Sequence, residues 1–214
     1  MKQVELMIFD LDGTLVTSGK DIAMSVNYTL QTLGLPVIAE GIILLYVGDG
    51  IRKLIERSLG AASRERYDEA LDLFSAHYDE HMLDNTTFYP GVVEVLRHFQ
   101  DKKKVILTNK RYRFARAISD ALDMTDYFDE ILGADSTPHI KPDARLVHPL
   151  LERFAVPPGR TVMIGDGVND VLLAKNAGIL SCSFLEGLTD RDLLLRLQPD
   201  FSYENALELT RLFR

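Results

Sequence analysis

One cysteine, Cys182, stands in the 214 residues. It can form no intramolecular disulfide and belongs to no zinc-type cluster, so it reads as a buried strand residue. A basic excess is missing too: 24 Lys and Arg face 32 Asp and Glu, a formal net charge of −8. That argues against nucleic acid or an anionic membrane as partner, since no surplus of cations can neutralise phosphates. No apolar run approaches the roughly 20 residues of a membrane span. The first residues lack the apolar core of a secretory signal because Asp10 interrupts them. A cytoplasmic location is expected. Internal repeats and low-complexity segments are absent. What is left, 46% hydrophobic and 26% charged, is an ordinary globular composition, long enough for one large domain or a domain carrying a smaller one.

The stretch Met7-Ile8-Phe9-Asp10-Leu11-Asp12-Gly13-Thr14-Leu15 organises the rest. The apolar run Leu6 to Phe9 reads as a buried strand, and it ends on two carboxylates two residues apart. Side chains so spaced on an extended chain point the same way. In open α/β sheets ligands bind just outside the carboxyl ends of strands, so Asp10 and Asp12 could face one site. Gly13 permits a sharp turn, and Thr14 can bond backbone groups or a phosphate oxygen.

Beyond Leu15 the pattern becomes helical. Ile22, Val26, Leu30 and Leu33 recur at helical spacing until Gly34 and Pro36. Short helices are expected at Ile42 to Tyr46 and from Ile51 to Leu59, and a longer one from about Arg64 to Leu83 with Tyr67, Leu71, Phe74, Tyr78 and Met82 on one face. His77 and His81 border that face without a third ligand, so they read as structural. Polar stretches, Val16 to Lys20 and Asp84 to Thr87, bracket this helical bundle like hinges. After Tyr89-Pro90-Gly91, strands and helices alternate. Strands are expected at Lys104 to Leu107, Ile131 to Gly133, Val162 to Ile164 and Ile179 to Phe184. Helices are expected at Val92 to Phe99, around Phe114 to Leu122, at Leu146 to Phe154, at Val168 to Ala177 and in two amphipathic tail stretches. Pro149 suits only a first turn or a kink, so the helix there should start late. Lys102-Lys103-Lys104 reads as a solvated turn. Alternating β and α implies an α/β fold with a parallel sheet and right-handed crossovers.

In a parallel sheet the strand ends share one edge. That edge would bring Thr108-Asn109, Lys141-Pro142 and Gly165-Asp166-Gly167-Val168-Asn169-Asp170 together with Asp10 and Asp12. The set resembles the haloacid dehalogenase superfamily of phosphotransfer enzymes over nearly the whole chain. Asp10-x-Asp12-Gly13-Thr14, Thr108-Asn109, Lys141-Pro142 and Gly165-Asp166-x-x-x-Asp170 are similar to its four motifs in order. Tyr89-Pro90-Gly91-Val92 and the helical stretch resemble the phosphoglycolate phosphatase-like branch, although Gly167 stands where that branch more often carries serine. The resemblance implies a Rossmann-like catalytic core of residues 1–15 and 86–214 and a helical cap of the first type over 16–85.

Phosphoryl transfer needs an in-line nucleophile and compensation of the charge on the transferred group. Asp10 would attack phosphorus and form an aspartyl-phosphate. Asp12 would protonate the leaving alcohol and then take a proton from the hydrolytic water. An ordinary aspartate, with a pKa of about 3.9, is a poor acid at neutral pH; crowding by other carboxylates is expected to raise it. Like charges about 4 Å apart repel by roughly 4 kcal/mol even at an effective dielectric of about 20, so four clustered aspartates call for a cation. Oxygen ligands and a phosphate substrate point to Mg²⁺. By resemblance its ligands are the Asp10 carboxylate, the Asp12 backbone carbonyl and Asp166, with Asp170 in or beside that shell. Thr108 would hydrogen-bond a phosphoryl oxygen and Lys141 would neutralise it; Thr14 and Asn109 join the substrate-binding set.

The expected function is a Mg²⁺-dependent phosphatase for a small phosphorylated metabolite, working as a monomer or homodimer. The alternatives are a β-phosphoglucomutase-like isomerase and a non-catalytic binding module on the same fold. In the cap, Gly48-Asp49-Gly50-Ile51-Arg52-Lys53 is the candidate for selecting the leaving group. Gly50 would allow close backbone approach, and Arg52 would meet a second anionic group on the substrate. Arg52 pairing with Glu56 at the surface is the alternative.

Overall fold

The computed structural model describes all 214 residues. Its strands are β1 (Leu6–Phe9), β2 (Lys103–Leu107), β3 (Glu130–Leu132), β4 (Thr161–Gly165), β5 (Leu180–Phe184) and β6 (Phe201–Tyr203). They form one six-stranded sheet in the order β3-β2-β1-β4-β5-β6, every pair parallel. β1 is central and buried throughout, which is why it is a continuous apolar run rather than an alternating one. Successive side chains nonetheless part to opposite faces. Met7 and Phe9 enter one apolar layer, with Ile106, Ile164 and Phe114. Leu6 and Ile8 enter the other, with Val105, Met163, Leu150 and Leu173.

The insert after β1 is built of four helices: α1 (Gly19–Thr32), α2 (Glu40–Leu44), α3 (Ile51–Leu59) and α4 (Tyr67–His81). Their apolar stripes, among them Ile22, Val26, Leu54, Ile55, Phe74 and Tyr78, are buried in the same layer as Phe9 and Phe114. Burying one such large side chain contributes about 1.5–3 kcal/mol, so the helical insert is seated on the sheet edge by apolar contact. The chain enters and leaves the insert side by side. The Thr17 N–H donates to the Thr87 carbonyl at 2.8 Å and the Tyr89 N–H to the Leu15 carbonyl at 3.1 Å.

The remaining helices are α5 (Val92–His98), α6 (Tyr112–Ala121), α7 (His148–Phe154), α8 (Val168–Ala177), α9 (Arg191–Arg196) and α10 (Leu209–Leu212). Pro149 falls in the first turn of α7, where its missing N–H costs nothing. Three expectations are corrected. Residues Ala61–Arg66 form a 3-10 helix broken at Ser63, so the long helix begins at Tyr67 rather than near Arg64. β6 was not expected; its three residues lie at the sheet edge, too few to show a period. Lys104 is no solvated turn residue: it is 3% exposed and its ammonium donates to the carbonyls of Phe99 and Lys102, closing the end of α5. No helix is long and apolar enough to cross a membrane.

Candidate active site

The strand register builds the site. Phe9 lies level with Ile106 and Ile164, so Asp10, Thr108 and Asp166 leave the sheet at one edge. Oxygen atoms of Asp10, Asp166 and Asp170 lie within 4.8 Å of one another. All three residues are buried. The Lys141 ammonium sits between two of them, 2.9 Å from Asp10 Oδ1 and 2.7 Å from Asp170 Oδ1. Burial pulls that ammonium down, but the two carboxylates outweigh it and hold it above its ordinary range. Burial first, then Asp10 and Asp170, push the Asp166 carboxyl up to about 7. Burial also pushes Asp170 up, to about 6, against the pull of Lys141.

Asp166 is gripped on both sides. The Thr14 hydroxyl donates to Oδ1 and the Leu188 N–H to Oδ2, each at 2.7 Å. Gly13 has φ +82°, and a Cβ there would lie 2.2 Å from Asp166 Oδ2; glycine meets both the turn and the close approach. Asp170 opens α8 and accepts the Gly167 N–H at 2.9 Å, as acids at helix N-termini do. Thr14 therefore faces a carboxylate rather than open space for substrate. Asn109 is likewise engaged. Its Oδ1 accepts the Lys141 N–H at 2.9 Å, and its amide donates to the carbonyls of Lys141 at 3.1 Å and Gly48 at 2.9 Å. It holds the Lys141 loop and the insert in place. Thr108 is buried at the strand end and lines the cavity described below.

Asp12 meets a group the sequence reading does not assign to the site, the Lys110 ammonium, 2.9 and 3.0 Å from its two oxygens. The Ser18 hydroxyl also donates to it. Lys110 carries no motif of its own, but it directly follows Thr108-Asn109 at a strand end, where the same positional logic places it in the site. Gly187-Leu188, beyond the end of β5, reach the same edge with no signal in the sequence.

Two cavities open on this edge, and Asp10 and Asp12 border both. One, of about 60 Å³, lies under the insert between Thr108, Lys110, Arg111, Ile51 and Tyr78. The other, of about 320 Å³, lies between Asp166, Asn169, Asp49 and Leu188. Gly50 lines the smaller one; its φ is +85°, and a Cβ there would lie 3.2 Å from the Asn109 carbonyl oxygen. Arg52 does not line it. The guanidinium is exposed and lies 5.5 Å from the Tyr67 ring centroid. The surface alternative differs as well, because Lys53 rather than Arg52 pairs with Glu56, at 3.0 Å. His77 stacks on Tyr28 and on His81, with centroids at 4.1 and 4.3 Å, away from the site.

Carboxylates and ammonium groups converging at the C-terminal edge of a parallel sheet suit a site that handles an oxygen-rich anion. Residues 7–184 match the family of haloacid dehalogenase-like hydrolases. The chain belongs to that family, in its phosphoglycolate phosphatase-like branch, and is a phosphatase of the haloacid dehalogenase type. It is 31% identical over 217 residues to a phosphoglycolate phosphatase of Vibrio vulnificus, covering 97% of this chain and 95% of that one. Against the phosphoglycolate phosphatase of Chromobacterium violaceum it is 34% identical over 202 residues, covering 91% and 90%. A crystal structure from Haemophilus somnus, described as a predicted phosphoglycolate phosphatase, superposes with a TM-score of 0.92 at 26% identity over 99% of each chain.

Proposed function

We propose that this phosphatase is Mg²⁺-dependent and hydrolyses a small phosphorylated metabolite, a phosphoglycolate-like phosphomonoester, through an aspartyl-phosphate on Asp10. One observation carries the reading: Asp10 stands where the carboxylate cluster, Lys141 and the cavity under the insert meet. An Asp10 oxygen attacks phosphorus, and the bond to the alcohol oxygen breaks. Asp12 supplies that oxygen with a proton. Water then attacks phosphorus and loses its proton to Asp12, which breaks the bond to Asp10, releases phosphate and restores the Asp10 carboxylate and the proton on Asp12. Thr108 and Lys141 steady the phosphoryl oxygens.

The residues fit a hard cation. The donors are all oxygen, and burial together with the neighbouring carboxylates raises the Asp166 carboxyl to about 7. The carboxylates of Asp10, Asp166 and Asp170 and the backbone carbonyl of Asp12 would hold Mg²⁺. When bound, the ion would compensate the negative charge of the carboxylates and of the phosphoryl group.

Residues 16–85 act as a cap on the core of 1–15 and 86–214, hinging at the paired connections and expelling water when closed. The cavity of about 60 Å³ holds a few water-sized groups, each needing about 10–15 Å³ by this measure. Arg111, which borders it, replaces Arg52 as the group that meets a second anion on the substrate. The enzyme works in the cytoplasm as a monomer or homodimer.

The test is phosphate release from a panel of small phosphomonoesters and sugar phosphates, with Mg²⁺ and with chelator, for the wild type and Asp10→Asn. Release that needs Mg²⁺ and falls by several orders of magnitude in the folded variant is expected. Interconversion of sugar phosphates without release would favour the mutase. Metal binding with no turnover of any kind would favour the binding module.

A further inference from the structure

Lys110 carries three N–H donors, and the structure accounts for all three. Two meet Asp12 Oδ1 and Oδ2 at 2.9 and 3.0 Å, and the third meets the Tyr78 hydroxyl at 2.7 Å. Lys110 and Asp12 belong to the sheet edge; Tyr78 belongs to α4 of the insert. The three side chains are separated by 98 and 32 positions in the chain. The Lys110 and Asp12 side chains are only 6% and 11% exposed, and Tyr78 is 1% exposed. Hydrogen bonds to a charged group in such a dry setting are strong and directional.

We propose that Tyr78 is a positioning residue for Asp12: seated on the sheet edge by the insert, its hydroxyl fixes the Lys110 ammonium against both oxygens of the acid-base carboxylate. The proposal rests on the role given to Asp12 above. A lysine is a point charge on a flexible four-carbon stem. With both remaining acceptors on one carboxylate, its direction is set by the third partner. That partner is present only while the insert is docked, so the carboxylate is in register when the site is covered. The ring of Tyr78 is held separately. Phe74 of the insert lies 5.4 Å away and Phe114 of the sheet layer 5.1 Å away, centroid to centroid. Replacing tyrosine by phenylalanine therefore removes the hydroxyl and keeps the packing.

A buried tyrosine hydroxyl needs a partner in any protein, so the test must separate positioning from mere satisfaction. Full-length wild type, Tyr78→Phe, Lys110→Met, the double variant and Asp12→Asn are assayed with Mg²⁺ on two substrates, the readout being release of the leaving alcohol in the first turnover, before the hydrolytic step in which Asp12 serves both substrates alike. One is phosphoglycolate, whose alkoxide must be protonated. The other is p-nitrophenyl phosphate, whose leaving group needs no proton. Tyr78→Phe is expected to lower the first-turnover rate at saturating phosphoglycolate about tenfold with KM changed by less than about twofold, and to leave p-nitrophenyl phosphate within about threefold. The double variant should be no slower than Lys110→Met alone, because Tyr78 acts through Lys110. Lys110→Met removes the ammonium that lies 4.6 Å from the Tyr78 ring centroid but keeps the ring between Phe74 and Phe114, and it should show the same substrate split even if Tyr78→Phe folds poorly. Equal losses on both substrates, an effect confined to KM or to melting temperature, or losses that multiply in the double variant would overturn the proposal. If Asp12→Asn shows the split and Tyr78→Phe does not, only the positioning role falls. If Asp12→Asn shows no split, the acid-base reading falls and takes this proposal with it.

Discussion

Asp21 Oδ2 accepts both the N–H and the hydroxyl of Thr86, each at 2.8 Å. The same carboxylate takes the Asn85 N–H at 3.0 Å and its side-chain amide at 2.7 Å. Asp21 lies in the first turn of α1, where the chain enters the insert, and Asn85-Thr86 is where it returns. One 1%-exposed carboxylate therefore pins both connections together.

Removing it strands four donors. Asp21→Ala should lower the unfolding free energy by about 3 kcal/mol, since each buried unsatisfied group costs about 1–3 kcal/mol and some will find water. Asp21→Asn keeps one acceptor and should lose less. Urea unfolding of the two variants decides it; unchanged midpoints would mean that the staple contributes nothing.

Gly187 presses on Asp166: a Cβ there would lie 2.3 Å from Asp166 Cβ and 2.5 Å from Oδ2. Gly187→Ala must shift that carboxylate. Mg²⁺ affinity by calorimetry should fall about 10–100-fold, the scale of disturbing groups that support a ligand, while circular dichroism stays native. Gly159→Ala is the control, with nothing within 4 Å and no left-handed backbone. Equal affinity in both variants would remove Gly187 from the support of the site.

The raised carboxyls link metal binding to pH. Burial and neighbouring carboxylates hold Asp166 at about 7 and Asp170 at about 6, from ordinary values of 3.8. The folded chain thus binds these protons more tightly than the unfolded chain. In chelator, their contribution to stability is complete below pH about 4 and is lost as pH rises towards about 7, by up to about 1.4 kcal/mol per pH unit for each proton. Mg²⁺ must displace the same protons. Its addition should therefore raise the melting temperature little at pH 5 and more at pH 8. An equal rise at both pH values would show that these carboxylates are not its ligands.

Arg111 borders the cavity under the insert, whereas Arg52 lies over Tyr67 at the surface. Arg111→Ala should lower kcat/KM for phosphoglycolate by about 1.5–3 kcal/mol, the worth of a hydrogen bond to a charged group, and hardly affect p-nitrophenyl phosphate. Arg52→Ala should change both by the same small factor. A selective loss in Arg52→Ala instead would return that residue to the specificity site.

The sequence by itself determined the sheet and the edge that carries the chemistry. The apolar run ending at Asp10, the strand ending at Thr108 and the strand ending at Asp166 are local patterns, and parallel pairing brings their ends together without further information. Gly13 was legible for the same reason, since a positive φ is a local demand. What each side chain meets at that edge was settled only by tertiary packing. Thr14 turns to Asp166, Asn109 to the Lys141 loop, and Asp12 to Lys110. Tyr78 reads as one more apolar-face residue until α4 is seated against Phe114. Arg52 looked like a site residue because its distance from the cavity depends on how α3 lies against Tyr67. β6 shows no period because three residues at an edge owe their pairing to a neighbour, not to their own pattern. The insert is oriented by apolar burial summed over many side chains, and no short motif encodes that sum.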